Sequence, residues 1–377
     1  MPDRLRVLVL FGGRSAEHDV SRVSARFAAA ALDPARYEVV PVAITPEGHW
    51  HLATEAQAAL AGPADALPDA LPVQGVPVTP RIEPGAHALL GLELGAEPVP
   101  FDVVLPLLHG PHGEDGTIQG LFELAEVPYV GSGVLGAAVG MDKVMMRRAF
   151  AAAGLAMARW LTFRDGHDRD EFAGRVEREL GLPCFVKPAN LGSSVGVSKA
   201  RTRDELMAAL ELASSFDEWV VVEEAIDGRE IEVAVLGDDP PEASVPGEIV
   251  PGAEFYSYAD KYETQGAQLL VPAPLEEHET SAVRMLATRA FEACRCEGMG
   301  RVDFLFEGRG PGGGAGTGRG FLVNEVNTIP GFTPISMYPR LWEASGLGYS
   351  ALLDRLIELA LSRQERRTRR TGRPRPA

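Results

Sequence analysis

The 377-residue chain is 45% hydrophobic and 24% charged, the balance of a globular protein, and its length predicts two to three domains rather than one core. No apolar run approaches the roughly 20 residues of a membrane span, and the opening "MPDRLRVLVLFGG" lacks the length and cleavage site of a secretory leader, so a cytoplasmic protein without a membrane partner is expected. A net charge of −17 repels phosphate backbones and argues against nucleic acid as a partner of the body of the protein.

Apolar runs "RVLVLF" (6–11), "YEVVPVAI" (37–44) and "DVVLPLL" (102–108) alternate with helical patterns at 19–32 and 117–125, which predicts a parallel α/β unit. Between Leu52 and Pro100 an Ala-, Pro- and Gly-rich stretch predicts a surface excursion with little regular structure. The loop "GGRSAEHDVS" (12–21) stands where a nucleotide-binding turn would, yet it has no third glycine, and Glu17 and Asp19 fall in the first helical turn, where they would compete with a phosphate. Two readings stay open: Ser15 as N-cap with the acids complementing the helix dipole, or Glu17 facing a cation. Further on, "LLHGPHGEDGTIQG" (107–120) packs His109, Glu114 and Asp115 into one loop after a strand. Each residue alone suits a structural role; together they suit a substrate ammonium or carboxylate, and no recurring histidine supports a metal.

A second unit begins near Gly131, with a helix over Val134 to Ala153, strand "CFVK", a glycine loop, strand "VGVSKA", a helix at 203–214 and strand "WVVVEE". In "PCFVKPANLGSSVGVSKA" Lys187 ends a strand before a Gly-Ser-Ser-Val-Gly loop, a place for phosphates held by backbone amides and a point charge. It is not a Walker loop, since the lysine comes first and a strand follows; an ordinary hairpin turn explains it equally well. Lys143 is a second basic contact or a solvated lysine. Glu223, Glu224 and Glu230 in "WVVVEEAIDGREIEV" flank a turn that could read an adenine edge and a ribose, a weak signal because charged turns are common. Cys184 reads as core, and Cys184, Cys294 and Cys296 lack zinc spacing.

The third unit holds strands at 230–236 and 300–306, a helix at 277–297, strand "FLVNEVN" and a final helix at 348–361, with "GRGPGGGAGTGRG" (308–320) as a floppy hairpin loop. Strand alternation puts Arg301 and Asp303 on one face and Glu325 and Asn327 on one face of the partner strand. The resulting oxygen cluster suits magnesium on nucleotide phosphates, with Arg301 placed for a phosphoryl group or an oxyanion; the alternative is a salt-bridged sheet face. The last segment carries seven arginines from Arg363 to Arg375 and predicts a solvated, disordered end.

Taken together, "GGRSAEHDVS", "HGPHGEDGTIQG", "PYVGSGVLGAAVGMDK", "FVKPANLGSSVGVSK", "KYETQGAQLLVPA", "GRVDFLF" and "NEVNTIPGFTPISMYP" resemble the D-alanine–D-alanine ligase family, ATP-grasp enzymes of peptidoglycan precursor synthesis. The motifs keep the family order from Gly12 to Pro339. The resemblance implies an N-terminal parallel α/β (pre-ATP-grasp) domain at 1–130, then two α+β parts clamping ATP, a central ATP-grasp subdomain at 131–224 and a C-terminal catalytic domain at 225–365. A disordered basic tail at 366–377 would follow.

Residue by residue, the resemblance places Lys143, Lys187, Ser193 and Ser194 near the phosphates, Glu223 and the Ile226 backbone at adenine, and Glu230 at ribose. Asp303, Glu325 and Asn327 become ligands of two magnesium or manganese ions, with potassium as a further ion of the family. Lys261 and Tyr262 fall in its closing loop, where Tyr262, Ser193 and Glu17 form a hydrogen-bonded chain. Glu17 faces the ammonium of the first D-alanine, and His109 joins the substrate site. Arg301 and the Gly331 amide hold an oxyanion, while Ser336 and the Met337 amide hold the second carboxylate. The implied reaction is ATP-dependent ligation of two D-alanines through an acyl phosphate, in a homodimer. The Lys-Tyr pair at 261–262 favours the dipeptide over a D-lactate product. Rivals are D-lactate or D-serine as second substrate, a non-catalytic nucleotide-binding module, which predicts a damaged site, and a dehydrogenase, disfavoured by the missing glycine.

Overall fold

The computed structural model describes residues 4–62, 67–93, 95–251, 268–308 and 318–371. Lys261, Tyr262, most of the glycine-rich loop and the last six residues lie outside these.

The first unit runs β1 (Leu5–Gly12), α1 (His18–Ala31), β2 (Tyr37–Ile44), β3 (Trp50–Leu52), α2 (Thr54–Ala61), β4 (Val76–Pro80), β5 (Ala88–Gly91), β6 (Val99–Pro100), β7 (Val103–Pro106) and α3 (Thr117–Leu124). Its seven strands lie in the order β6-β5-β4-β3-β2-β1-β7, with β1 parallel to both β2 and β7. The run in β1 is apolar throughout because both faces are covered: Val7, Val9 and Phe11 enter one core, Leu8 and Leu10 another. The expected unstructured excursion is overturned. Strands β3 to β6 extend the sheet antiparallel, and Val78, Ala88 and Leu89 are buried. Strands this short, broken by prolines, carry too few residues for alternation to show in the sequence.

The second unit runs α4 (Val134–Met141), α5 (Lys143–Ala152), β8 (Trp160–Arg164), α6 (Arg169–Glu179), β9 (Cys184–Pro188), β10 (Ser198–Ala200), α7 (Arg203–Ser214) and β11 (Trp219–Glu224). The single helix expected over 134–153 is two, because Asp142 leaves helical geometry (ψ 104°) and its side chain caps α5, accepting from the Val144 and Met145 amides at 2.9 Å. The four strands form an antiparallel sheet, β10-β9-β11-β8, and with α6 and α7 they enclose a core of their own that includes Cys184.

The third unit runs β12 (Arg229–Gly237), β13 (Glu242–Val250), β14 (Gln268–Leu270), α8 (Glu277–Ala293), β15 (Gly298–Glu307), β16 (Gly320–Asn327), α9 (Met337–Ala344) and α10 (Tyr349–Thr371). Its antiparallel sheet, β14-β13-β12-β15-β16, packs α8 on one face. On the other, Ala234, Leu236 and Ile249 meet α9 and α10 in the same core that holds Val7, Val9 and Phe11 of the first unit. The first and third units thus share one apolar interior.

The arginine-rich end is corrected as well, since α10 continues to Thr371. Arg363 is buried; it donates to the Tyr129 carbonyl at 2.5 Å and to the Gly131 carbonyl, with its guanidinium 4.4 Å above the Tyr129 ring. Arg366 pairs with Asp238, and Arg367 with Glu123 and Glu297. Acids and carbonyls from all three units give these cations partners that a local reading of the sequence could not reveal. No described helix is long and apolar enough to cross a membrane.

Candidate active site

The carboxyl ends of β1 and β7 are neighbours at the point where strand order turns back, and the loops leaving them open into a cavity of about 1020 Å³ bounded by all three units. Most of the described residues singled out from the sequence line it: Glu17, His109 and Glu114 from the first unit, Lys143, Lys187, Ser193, Ser194 and Glu223 from the second, and Ile226, Glu230, Arg301, Asp303, Glu325, Asn327, Gly331, Ser336 and Met337 beyond. Asp115 does not; its carboxylate accepts from the His112 and Thr117 amides at 2.8 and 2.9 Å and shapes the loop instead. Lys261 and Tyr262 are not among the described residues.

At the first-unit end, α1 starts at His18 with Glu17 in the N-cap position. Ser15 is not the cap: its hydroxyl donates to the His109 carbonyl at 2.6 Å and accepts from the Glu17 amide at 3.2 Å. Asp19 behaves as a surface dipole complement paired with Arg22 at 2.7 Å, while Glu17 accepts a hydrogen bond from Ser193 of the glycine loop. Gly110 has φ +75°, and a Cβ there would stand 3.2 Å from Glu17 Oε2, so the loop reaches the carboxylate only as glycine. His109 is buried, with Nδ1 3.0 Å from the Ile329 carbonyl. Burial lowers its pKa against the pull of Glu17, so the ring is neutral. Glu114 joins the same two units, accepting from the Gly110 amide at 2.7 Å and the Ile329 amide at 2.9 Å. Burial and the charge of Glu17 raise its carboxyl to about 8.

At the second-unit end, Ser193 and Ser194 hold left-handed backbone (φ 49° and 60°), and Gly196, also left-handed (φ 71°), falls inside the strand expected over 195–200, so β10 starts only at Ser198. Lys143 donates to the Leu191 carbonyl at 2.6 Å, and burial lowers its pKa. Lys187 Nζ lies 3.1 Å from Glu223 Oε2, and Arg147 Nη2 2.5 Å from Glu223 Oε1. Burial opposes the charge on Glu223, but Arg147 and then Lys187 outweigh it and hold the acid ionised. Arg147 was not anticipated; the available signal was its place one turn after Lys143 on the same helix.

In the third unit, strand register sets Asp303 opposite Glu325 and Arg301 opposite Asn327. Arg301 grips Asp303 with both arms, at 2.7 and 2.6 Å, and also meets Glu232 at 3.1 Å. Burial works against its charge, yet Asp303 and Glu232 keep it protonated well above the usual range. Glu232 was also missed, an acid pointing inward from a strand otherwise buried. The Asn327 amide donates to Asp303 at 2.9 Å. Two carboxylates and an amide oxygen are hard donors, and magnesium carried by a nucleotide needs only one or two protein carboxylates, so the set fits that ion. Among the described residues no group of three or more His, Cys, Asp or Glu side chains gathers as a metal site, here or elsewhere, so the candidate set rests on two carboxylates and the Asn327 amide. Gly331 approaches Ser336, where a Cβ would stand 3.0 Å from its hydroxyl, and Ser336 occupies the N-cap of α9.

Residues 6–132 match the family model described as D-ala D-ala ligase N-terminus, and residues 149–358 match D-ala D-ala ligase C-terminus. The D-alanine--D-alanine ligase of Geobacillus kaustophilus is 46% identical over 373 residues, covering 97% of this chain and 97% of its own. Among solved structures, the D-alanine-D-alanine ligase from Coxiella burnetii aligns with a TM-score of 0.82 at 37% identity, covering 98% of this chain and 97% of that one. The VanG D-Ala:D-Ser ligase from Enterococcus faecalis aligns with a TM-score of 0.81 at 32% identity, covering 95% and 100%.

Proposed function

The chain belongs to the D-alanine–D-alanine ligase family, and on that premise we propose that it joins two D-alanines into D-alanyl-D-alanine, converting ATP to ADP and phosphate, for peptidoglycan precursors. The observation that carries the reading is the meeting, in one cavity, of an ammonium-seeking acid, a cationic glycine-loop end and an oxygen cluster. The two antiparallel sheets on either side of the cations are the ATP-grasp arrangement.

A carboxylate is a poor acylating agent, so a carboxylate oxygen of the first D-alanine attacks the γ-phosphorus. The bond to ADP breaks and an acyl phosphate forms. Glu17 holds the ammonium of that D-alanine, and neutral His109 lines the pocket beside it. Lys143 and Lys187 offset charge on the phosphates, helped by the amides of the Ser193–Ser194 turn. Magnesium or manganese, held by Asp303, Glu325 and Asn327, supplies charge withdrawal from the phosphoryl oxygens. Glu223 and the Ile226 backbone take adenine, and Glu230 the ribose. The amine of the second D-alanine, having lost a proton, attacks the acyl carbon; Arg301 and the Gly331 amide hold the oxyanion until phosphate leaves. Ser336 and the Met337 amide, at the N-terminus of α9, receive the second carboxylate. The family's closing loop corresponds to the segment with Lys261 and Tyr262, outside the described residues, and the resemblance would have Tyr262 join the Ser193–Glu17 pair. A cytoplasmic homodimer completes the proposal.

The test is to mix the purified chain with ATP, magnesium and D-alanine. ADP, phosphate and D-alanyl-D-alanine are expected in equal amounts. Faster phosphate release with D-serine added as second substrate would move the assignment toward the activity named for the Enterococcus relative, and no release with any D-amino acid would end it.

A further inference from the structure

Arg147 belongs to the site without touching the cavity. It is 1% exposed, is absent from the cavity wall, and meets Glu223 through one nitrogen only; Nε and Nη1 have no hydrogen-bond partner among the described residues. Apolar side chains replace buried ion pairs with little loss of stability, and often with a gain, so an arginine left half unsatisfied points to a function.

Glu223 stands between two cations of different kinds. Lys187, on Oε2, lines the cavity; Arg147, on Oε1, lies behind it. If nucleotide phosphates draw Lys187 off, as the proposed function requires, Oε2 loses its donor and turns to the incoming base while Oε1 stays held. A carboxylate this deeply buried, at 3% exposure, with no cation behind it would take up a proton and present an O–H. With Arg147 in place it only accepts. An acceptor suits the exocyclic amine of adenine and repels the keto oxygen of a 6-oxopurine.

We infer that Arg147 is a positioning residue that holds Glu223 as a fixed acceptor and thereby sets selection of adenine over 6-oxopurine nucleotides. This rests on the reading that Glu223 meets adenine, and the experiment separates the two. Magnesium-ATP and magnesium-ITP binding would be measured by calorimetry for the wild-type chain, R147M, R147Q and R147K, with melting temperatures as a check on folding. The wild type is expected to prefer ATP by about 30-fold, the worth of one hydrogen bond to a charged group. R147M and R147Q should fall to within about threefold, because Lys187 still neutralises Glu223 in the empty protein but nothing does once the phosphates bind; R147K should regain most of the preference. A wild type that binds both nucleotides alike removes the adenine assignment itself. A wild type that discriminates, with neutral variants that discriminate equally, overturns the role of Arg147 alone. So does loss of the fold in both neutral variants with R147K folded, since Arg147 would then be a fold determinant.

Discussion

At the end of the cavity proposed for the amino acid, His109 and Glu114 are fastened to the backbone, at the Ile329 carbonyl and at the Gly110 and Ile329 amides. At the end proposed for the nucleotide, Lys187 and Arg301 rest on the acids Glu223 and Asp303, and Lys143 on a loop carbonyl. The packing beneath follows the same division. The end proposed for the amino acid spans the first and third units, which share a core, whereas the end proposed for the nucleotide lies between two sheets with separate interiors, bridged by α5, which gives Met146 and Phe150 to the third unit's core and Val144 to a small cluster with Ala189 and Val221 of the second. A pocket for a small zwitterion gains from being preformed. A pocket for a polyphosphate needs cations that can change partners, which on the proposed function is what the pairing of Lys187, Arg301 and Lys143 with side chains and a loop carbonyl provides.

The sharpest way to break this comparison is Glu17→Gln. It removes the charge assigned to the first ammonium, keeps an amide oxygen that can accept from Ser193, and spares the contacts of Lys187 and Arg147 with Glu223 and of Arg301 with Asp303. D-alanine half-saturation should rise on the order of 50-fold, with that for ATP within about threefold. Equal rises for both would show that the two ends are not separable. Next in size is Arg363→Ala, aimed at the frame under the amino-acid end. It strands the Tyr129 and Gly131 carbonyls and should cost about 3 kcal/mol of unfolding free energy in urea, leaving ATP affinity unchanged. An unchanged unfolding midpoint would mean that α10 does not tie the units together.

The sequence made the chemistry legible before the architecture. β2, α7 and β11 lie where the apolar patterns put them, because long runs buried on one or both faces leave a periodic trace. The edge strands β3 to β6 left none, being two to five residues long. Polar residues at strand ends were visible one by one, but their meeting was not. That Glu17 touches Ser193, 176 positions away, is a fact of three-dimensional packing that spacing cannot supply. Arg147 and Glu232 were missed for a related reason. Each acts through another residue, so neither stands in a motif, and each shows itself only as a charge buried beside one that the motif names.

Glu114 yields the smallest effect and tests the preformed end through pH. Burial and the charge of Glu17 lift its carboxyl from 4.5 to about 8, and the two backbone amides offset this only in part. Between those values the folded protein keeps a proton that the unfolded chain has released. The unfolded state therefore binds fewer protons there, and this group's contribution makes stability fall as pH rises through the window. Glu114→Gln cannot titrate, so it should flatten the fall of the melting temperature between acid and neutral pH. It should also lower stability at acid pH, since an amide nitrogen must face either the Gly110 or the Ile329 N–H. A Gln variant with the wild-type slope would show that Glu114 is ionised throughout and that the pH dependence arises elsewhere. The amino-acid end would then be held by an ionised carboxylate, as the nucleotide end is, and the contrast between the two ends would narrow.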